Sequence, residues 1–186
     1  MTTAQHYILT NIKSKENKDF TLSEWLEKWV MLYAVKIKKT TLESYTEAIN
    51  NHINRVLGDM QLVNLTSEII QLFYNTLVLG IDIPSPLSAK TIYNIHGVLH
   101  RALESAVDYG YISANPANRV SLPQKEHKLI VPLTNEQIIL FLRAISASSY
   151  RNVFIFALFT GLRKGEIIGL TWDCVDFVRN TIRIDK

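Results

Sequence analysis

Thr160-Gly161-Leu162-Arg163-Lys164-Gly165-Glu166 runs on into Ile167-Ile168-Gly169-Leu170-Thr171-Trp172-Asp173-Cys174-Val175-Asp176. The apolar run before it, Val153 to Phe159, reads as a buried helix. Gly161 supplies the break that ends such a helix, because glycine takes the left-handed conformation at no steric cost. Arg163 then opens a second, short amphipathic helix. Its guanidinium is placed beside a positive helix terminus, where an anion such as a phosphate is favoured.

Working outward, 186 residues allow one ordinary domain or two small ones. A hydrophobic content of 47% with 20% charged residues describes a folded protein and not a disordered one. A net charge of +3 carries information only if the basic residues cluster. The single cysteine, Cys174, excludes an intrachain disulfide and fits a reducing compartment. The first 19 residues lack the apolar core of a signal peptide, and no apolar run approaches the roughly 20 residues a membrane span needs. A soluble, cytoplasmic protein is expected.

Residues 1–19 carry no clear period and read as a loose arm. Thr21 and Glu24 have capping-box spacing at the head of a helix with Leu22, Trp25, Leu26, Trp29 and Leu32 or Tyr33 on one face. After the basic Lys36-Ile37-Lys38-Lys39, Thr40 or Thr41 starts a second helix. Leu42, Tyr45, Ile49, Ile53 and Val56 lie on its apolar side and Gly58 closes it. A third, entered through Thr66, collects Leu62, Leu65, Ile69, Leu72, Phe73 and Leu77. Ser88 to Thr91 opens a fourth, running to about Tyr109, with Ile92, Ile95, Leu99, Ala102, Leu103 and Ala106 as its buried stripe. Asn115-Pro116-Ala117-Asn118 begins a connector that passes through Pro123 and the charged residues 125–128. Leu133-Thr134-Asn135-Glu136-Gln137 caps a further helix ahead of the arginine segment. Thr181, Ile182 and Ile184 turn toward strand.

Lys90, Asn94, Gly97 and Arg101 recur at spacings of four, three and four, opposite the buried stripe of the fourth helix. Lys and Arg gathered on one side, with small polar residues that let a backbone approach, suit phosphate binding. Gly97 in mid-helix costs up to ~1 kcal/mol against alanine, which a need for close approach would explain. The head of the second helix adds Lys38, Lys39, Thr40, Thr41 and Ser44. By themselves these are also what an ordinary solvated face looks like, and Glu24, Glu27, Glu43 and Glu47 give the first two helices acidic faces as well.

The pattern T-G-x-R-x-x-E-x-x-x-L-x-W-x-x-[IV]-D at Thr160 to Asp176 resembles the first catalytic-arginine box of the tyrosine recombinases, the phage-integrase family. The chain from Phe20 to about Asn118 is similar to the core-binding domain of that family. The likeness lies in Thr21-Leu22-Ser23-Glu24-Trp25-Leu26, Thr41-Leu42-Glu43-Ser44-Tyr45, Asn51-His52-Ile53, Leu57-Gly58, Leu65-Thr66, Ile70 to Tyr74, Ser88 to His96 and Asn115-Pro116-Ala117. The resemblance implies a mainly α chain. A four-helix SAM-like core-binding domain over 20–115 and a linker over 116–132 would precede the beginning of an α+β catalytic domain over 133–186. It implies double-stranded DNA as partner, with Lys38, Lys39, Thr40, Thr41, Ser44, Lys90, Thr91, Asn94, Arg101 and Lys164 as DNA-binding residues, and further recombinase protomers beside it. No metal, cofactor, membrane or small-molecule substrate is implied.

Members of this family cut DNA with a tyrosine, the phosphodiester being held by two arginines, a lysine and two His or Trp residues. Negative charge builds on the non-bridging oxygens, and a forked guanidinium stabilises it better than a point charge. The resemblance makes Arg163 the first of those arginines and Glu166 its acidic support; Glu166 equally favours the helix dipole as a first-turn carboxylate. Leu170 and Trp172 read as core. The family lysine lies on a hairpin beyond the box, entered here at Thr181 to Asp185, and Lys186 fills that role only if the hairpin is very short. The downstream H-x-x-R box, the following His or Trp and the tyrosine have no counterpart, so the expectation is a C-terminally truncated integrase that binds DNA without cutting it. A fragment of a full recombinase and a helical protein-interaction module are the alternatives. His52-Ile53-Asn54-Arg55 has the letters H-x-x-R but precedes Arg163 and reads as helix surface. His96 and His100 read as a packing residue and a polar contact, not a metal pair.

Overall fold

The computed structural model describes residues 20–33, 36–125, 129 and 131–185. They fall into two units that part between residues 127 and 128. The expected arm at 1–19 and Lys186 lie outside the described residues.

In the first unit, helix α1 (Leu22–Tyr33) starts at the expected capping box. The Thr21 N–H donates to Glu24 Oε2 at 2.9 Å and the Glu24 N–H donates to Thr21 Oγ1 at 3.2 Å. Leu22, Trp25, Leu26 and Trp29 are wholly buried, each worth roughly 1.5–3 kcal/mol of transfer free energy. Both indoles are satisfied: Trp25 Nε1 donates to the Ala102 carbonyl at 2.9 Å, and Trp29 Nε1 to Ser105 Oγ at 3.1 Å.

Helix α2 (Lys39–Ala48) does not run uninterrupted to Gly58 as its period predicts. Five π-helical residues, Ile49–Ile53, intervene before the single turn α3 (Asn54–Leu57). A π turn holds one residue more than an α turn and so rotates the residues after it by about 100°. Ile49 and Ile53 stay buried, but Val56 swings out to 52% exposure and Leu57 takes its place inside.

Leu62 and Leu65, expected in the third helix, lie before it and are buried, Leu62 in a 3-10 turn (Leu62–Asn64). Helix α4 (Ser67–Leu79) begins at Thr66 as predicted, Thr66 Oγ1 accepting from the Ile69 N–H. Its inward stripe is Ile70, Phe73, Tyr74 and Leu77, while Leu72 is exposed. The stripe is therefore turned by a residue from the one predicted, because the side of Tyr74, not that of Leu72, faces the core. Gly80 ends the helix at φ +73°, and a Cβ there would lie 2.9 Å from Pro86.

Helix α5 (Ala89–Asp108) is capped by Ser88, whose Oγ accepts from the Thr91 N–H at 3.2 Å. All six predicted stripe residues are buried, joined by Val98. The 3-10 turn Pro116–Arg119 then packs on the unit. Asn115 is buried, donating to the His100 carbonyl and to Glu104 Oε2, while Ala117 is 2% exposed and Val120 and Leu122 lie against the core. Residues 116–122, expected in the linker, are thus part of the helical unit. The Asn-Pro pair reads as a loop signal, yet the apolar residues after it still have a core to cover.

The second unit holds α6 (Asn135–Ala144), α7 (Arg151–Thr160), α8 (Lys164–Gly169), a 3-10 turn (Trp172–Cys174) and an antiparallel hairpin of β1 (Val175–Asp176) and β2 (Thr181–Ile182). Val175 pairs with Ile182 and Asp176 with Thr181. Thr134 and Gln137 form the α6 capping box. Helix α7, expected to be buried, contains no buried residue: Phe154 is 42% and Phe159 74% exposed. Trp172, expected in the core, is 82% exposed. Three short helices and one hairpin hold too little chain to cover these faces. Among the described residues of this unit only Ile145 and Cys174 are buried. No helix among the described residues is long and apolar enough to cross a membrane.

Candidate nucleic-acid interface and arginine box

Burial of Ile92, Ile95 and Leu99 turns the opposite side of α5 to solvent. Lys90, Asn94, Gly97 and Arg101 are all exposed along it. No heavy atom would lie within 4 Å of a Cβ added at Gly97. Thr91 is half-buried and its hydroxyl is engaged with Ser88 Oγ at 2.9 Å, so it completes the helix cap.

Arg101 Nη1 donates to the Tyr45 hydroxyl, and its guanidinium lies over the Tyr45 ring at 5.7 Å from the centroid. Tyr45 stacks in turn on Trp29, 5.8 Å between centroids. This contact joins the α5 face to α2, which carries the other predicted group. Lys38, Lys39, Thr40 and Ser44 are exposed and Thr41 is half-buried. Lys38 occupies the N-cap of α2 with extended backbone and makes no side-chain cap hydrogen bond. A lysine side chain has no acceptor, so no side chain caps this turn; the Thr41 and Leu42 N–H groups donate to the Lys38 carbonyl, and the helix terminus keeps the partial positive charge that attracts anions.

At the arginine box, Gly161 is left-handed at φ +67°, as predicted. Arg163 takes the N-cap of α8 with extended backbone. Its N–H donates to Glu166 Oε2 at 2.7 Å and its Nη1 to Glu166 Oε1 at 2.9 Å. Arginine cannot accept a hydrogen bond, so only the reach-back half of a capping box exists here. The Arg163 side chain is 87% exposed and that of Glu166 only 21%. The Arg163 backbone N–H, and then its side chain, hold the Glu166 carboxyl below the usual glutamate range, against a small opposing effect of burial. One end of the guanidinium is anchored while its other donors face outward. Lys164 is exposed.

His96 Nδ1 bonds the Tyr74 hydroxyl at 3.0 Å, and His100 Nε2 bonds Asn118 Oδ1 at 2.7 Å. Burial, and then the neighbouring His100, lower the pKa of His96; burial raises that of the Tyr74 hydroxyl. His52 lies in the π turn and is half-buried. Its Nδ1 and Asn54 Oδ1 are buried without a hydrogen-bond partner, which the reading as plain helix surface misses. Burial and then Arg55 lower the His52 pKa, partly offset by Glu47. Among the described residues no group of three or more His, Cys, Asp or Glu could hold a metal. One cationic contact escapes sequence reasoning: Lys125 Nζ sits 3.8 Å from the centre of the Tyr93 ring. Thirty-two positions separate the two, and no local pattern links them.

Residues 21–78 match the family model of the phage integrase, N-terminal SAM-like domain. Over these residues the chain is similar to the phage-integrase family. It is 29% identical over 189 residues to a XerC-like tyrosine recombinase of Caldanaerobacter subterraneus subsp. tengcongensis, a match covering 96% of this chain and 47% of that protein. It is likewise 29% identical over 179 residues to the IntQ protein of Escherichia coli (strain K12), covering 91% of this chain and 44% of that one. The chain therefore spans less than half the length of these curated relatives. The integrase fold is also that of the Tn1549 transposon integrase in complex with circular intermediate DNA. That likeness has a TM-score of 0.72 at 22% identity over 89% of this chain and 54% of the other. A lambda integrase dimer bound to a COC' core site matches at a TM-score of 0.71 and 24% identity, over 90% of this chain and 46% of that one.

Proposed function

We propose that the integrase SAM-like domain holds duplex DNA through the α5 face and the head of α2. On this reading Arg163, supported by Glu166, is the first phosphodiester-binding arginine of a DNA-recombination site. The supporting observation is the Arg101–Tyr45 contact, which joins the α5 stripe to the helix that carries the second basic group. Lys38, Lys39, Lys90 and Arg101 neutralise phosphates. Asn94, Thr40, Thr41 and Ser44 donate hydrogen bonds, and Gly97 lets the sugar-phosphate backbone approach closely. These contacts set register without reading sequence.

At the arginine box, Glu166 fixes the fork of Arg163, whose remaining N–H groups bind a non-bridging oxygen as negative charge builds there. Lys164 adds a phosphate contact beside it. Residues 1–186 contain no tyrosine after Tyr150 and no H-x-x-R after Arg163. By this proposal they bind DNA, beside further recombinase protomers, and do not cleave it alone.

The test is binding to a duplex at rising salt, with covalent adduct formation scored on a nicked substrate. Affinity should fall steeply as salt rises, since each neutralised phosphate contributes a slope of about −0.9 in log K against log salt. Binding that ignores salt removes the DNA reading, and a covalent protein–DNA adduct formed by these residues removes the claim that they do not cut. A second reading comes from the relatives' length: the chain is the front portion of a longer recombinase, and Arg163 then works with groups beyond Lys186. Reading the gene past the Lys186 codon separates the two.

A further inference from the structure

After Asn115 the chain lies along the helical unit as a strap. Ser67 Oγ donates to the Pro116 carbonyl at 2.6 Å. The Gln71 side-chain amide grips the backbone of Ser121 in both directions, donating to its carbonyl at 3.1 Å and accepting from its N–H at 2.7 Å. Val120 and Leu122 pack on the core. Lys125 comes next, its ammonium over the face of Tyr93. Tyr93 is three residues from Lys90 and four from Gly97. At about 100° per residue it flanks the exposed α5 stripe.

We propose that Lys125 is a further phosphate-binding residue of this domain, held beside the α5 stripe by Tyr93 and by the Gln71–Ser121 clamp. The inference rests on the DNA-binding reading above and extends that surface from α5 onto the strap. A lysine on a loose connector loses much rotamer freedom when it engages a phosphate. Here the clamp fixes the backbone four residues earlier, and the ring quadrupole holds the ammonium in place. The ring occupies one side of the ammonium. Its remaining N–H donors stay available to a phosphate oxygen.

The experiment uses the full chain and a random-sequence duplex labelled for fluorescence anisotropy, titrated between about 0.05 and 0.2 M salt. Lys125→Gln should lower the magnitude of the salt slope by about 0.9, so that its affinity deficit narrows by roughly threefold across that range. Lys125→Arg should restore both affinity and slope. Gln71→Ala, which leaves every charge in place, should weaken binding while keeping most of the slope, because the ammonium is no longer held in position. Equal melting temperatures for all variants establish that the fold is intact. If Lys90→Gln and Arg101→Gln lower the slope while Lys125→Gln leaves affinity and slope unchanged, the Lys125 assignment is overturned and the DNA-binding face stands. If the parent chain shows no salt-dependent binding, the DNA-binding reading fails, and the assignment with it.

Discussion

Arg101 of α5 donates to the hydroxyl of Tyr45 on α2 and covers its ring, so a residue of the exposed basic stripe is pinned to a helix 56 positions earlier in the chain. The contact is solvent-exposed, so Tyr45→Phe should cost at most about 0.5–1.5 kcal/mol in urea denaturation. Arg101→Gln should weaken duplex binding across unrelated sequences, as a phosphate contact does. A loss confined to one sequence would mean that Arg101 reads bases.

Gly97→Ala separates folding from binding. The position is helical, exposed and has open space around it, so alanine should stabilise the unit by roughly 0.5–1 kcal/mol. If DNA approaches the backbone here, the added methyl weakens binding even as the melting temperature rises. A variant both more stable and equally tight would move the DNA contact away from Gly97.

Two tryptophans give opposite expectations. Trp25 is fully buried and bonded to the Ala102 carbonyl, so Trp25→Ala should cost about 3–5 kcal/mol. Trp172 is 82% exposed, so Trp172→Ala should change stability by no more than about 0.5 kcal/mol. Chemical denaturation of each variant, followed by circular dichroism, measures both.

The helical unit should lose stability in mild acid. His96 and His52 both titrate below the usual histidine value of 6.5 because burial disfavours their charged forms. The unfolded chain therefore binds more protons below that value, and the stability present above pH 6.5 declines as pH falls through the lowered native values. Thermal melts from about pH 7.5 to 5 should show this decline, and His96→Asn should flatten it.

The Arg163–Glu166 pair should survive further into acid than an ordinary glutamate contact. The Glu166 pKa is depressed from 4.5, so its bonds to Arg163 are present above that value and are lost only as pH falls through the lowered one. The amide shift of Arg163 in an NMR pH titration tracks this directly, and Glu166→Gln should remove the transition.

Much of the helical unit is legible in its residues. Thr21 with Glu24, Thr66 and Ser88 mark helix starts because a side chain that accepts from a first-turn amide does so within three residues. The inward stripe of α5 is correct throughout because its period is unbroken. The stripe of α2 fails after Ile53, since a π turn changes the phase and nothing in Ile49-Asn50-Asn51-His52-Ile53 announces one. Of the candidate site residues, Arg163 and Glu166 come together as their spacing implies. The Thr91 hydroxyl also meets Ser88 in the α5 cap, and Lys125 is invisible without the strap.

Taken alone, the sequence determined what depends on neighbours within a few positions: the capped helices, the left-handed Gly161, the arginine at the head of α8 and the periodic basic stripe on α5. The tertiary structure alone decided which distant residues meet. It placed Arg101 on Tyr45 and Lys125 on Tyr93, carried residues 116–122 onto the core, and left Phe159 and Trp172 in solvent. Helix capping and periodicity are local energies encoded residue by residue. Burial and long-range pairing depend on how much chain is present to cover each face, which no short window of sequence contains.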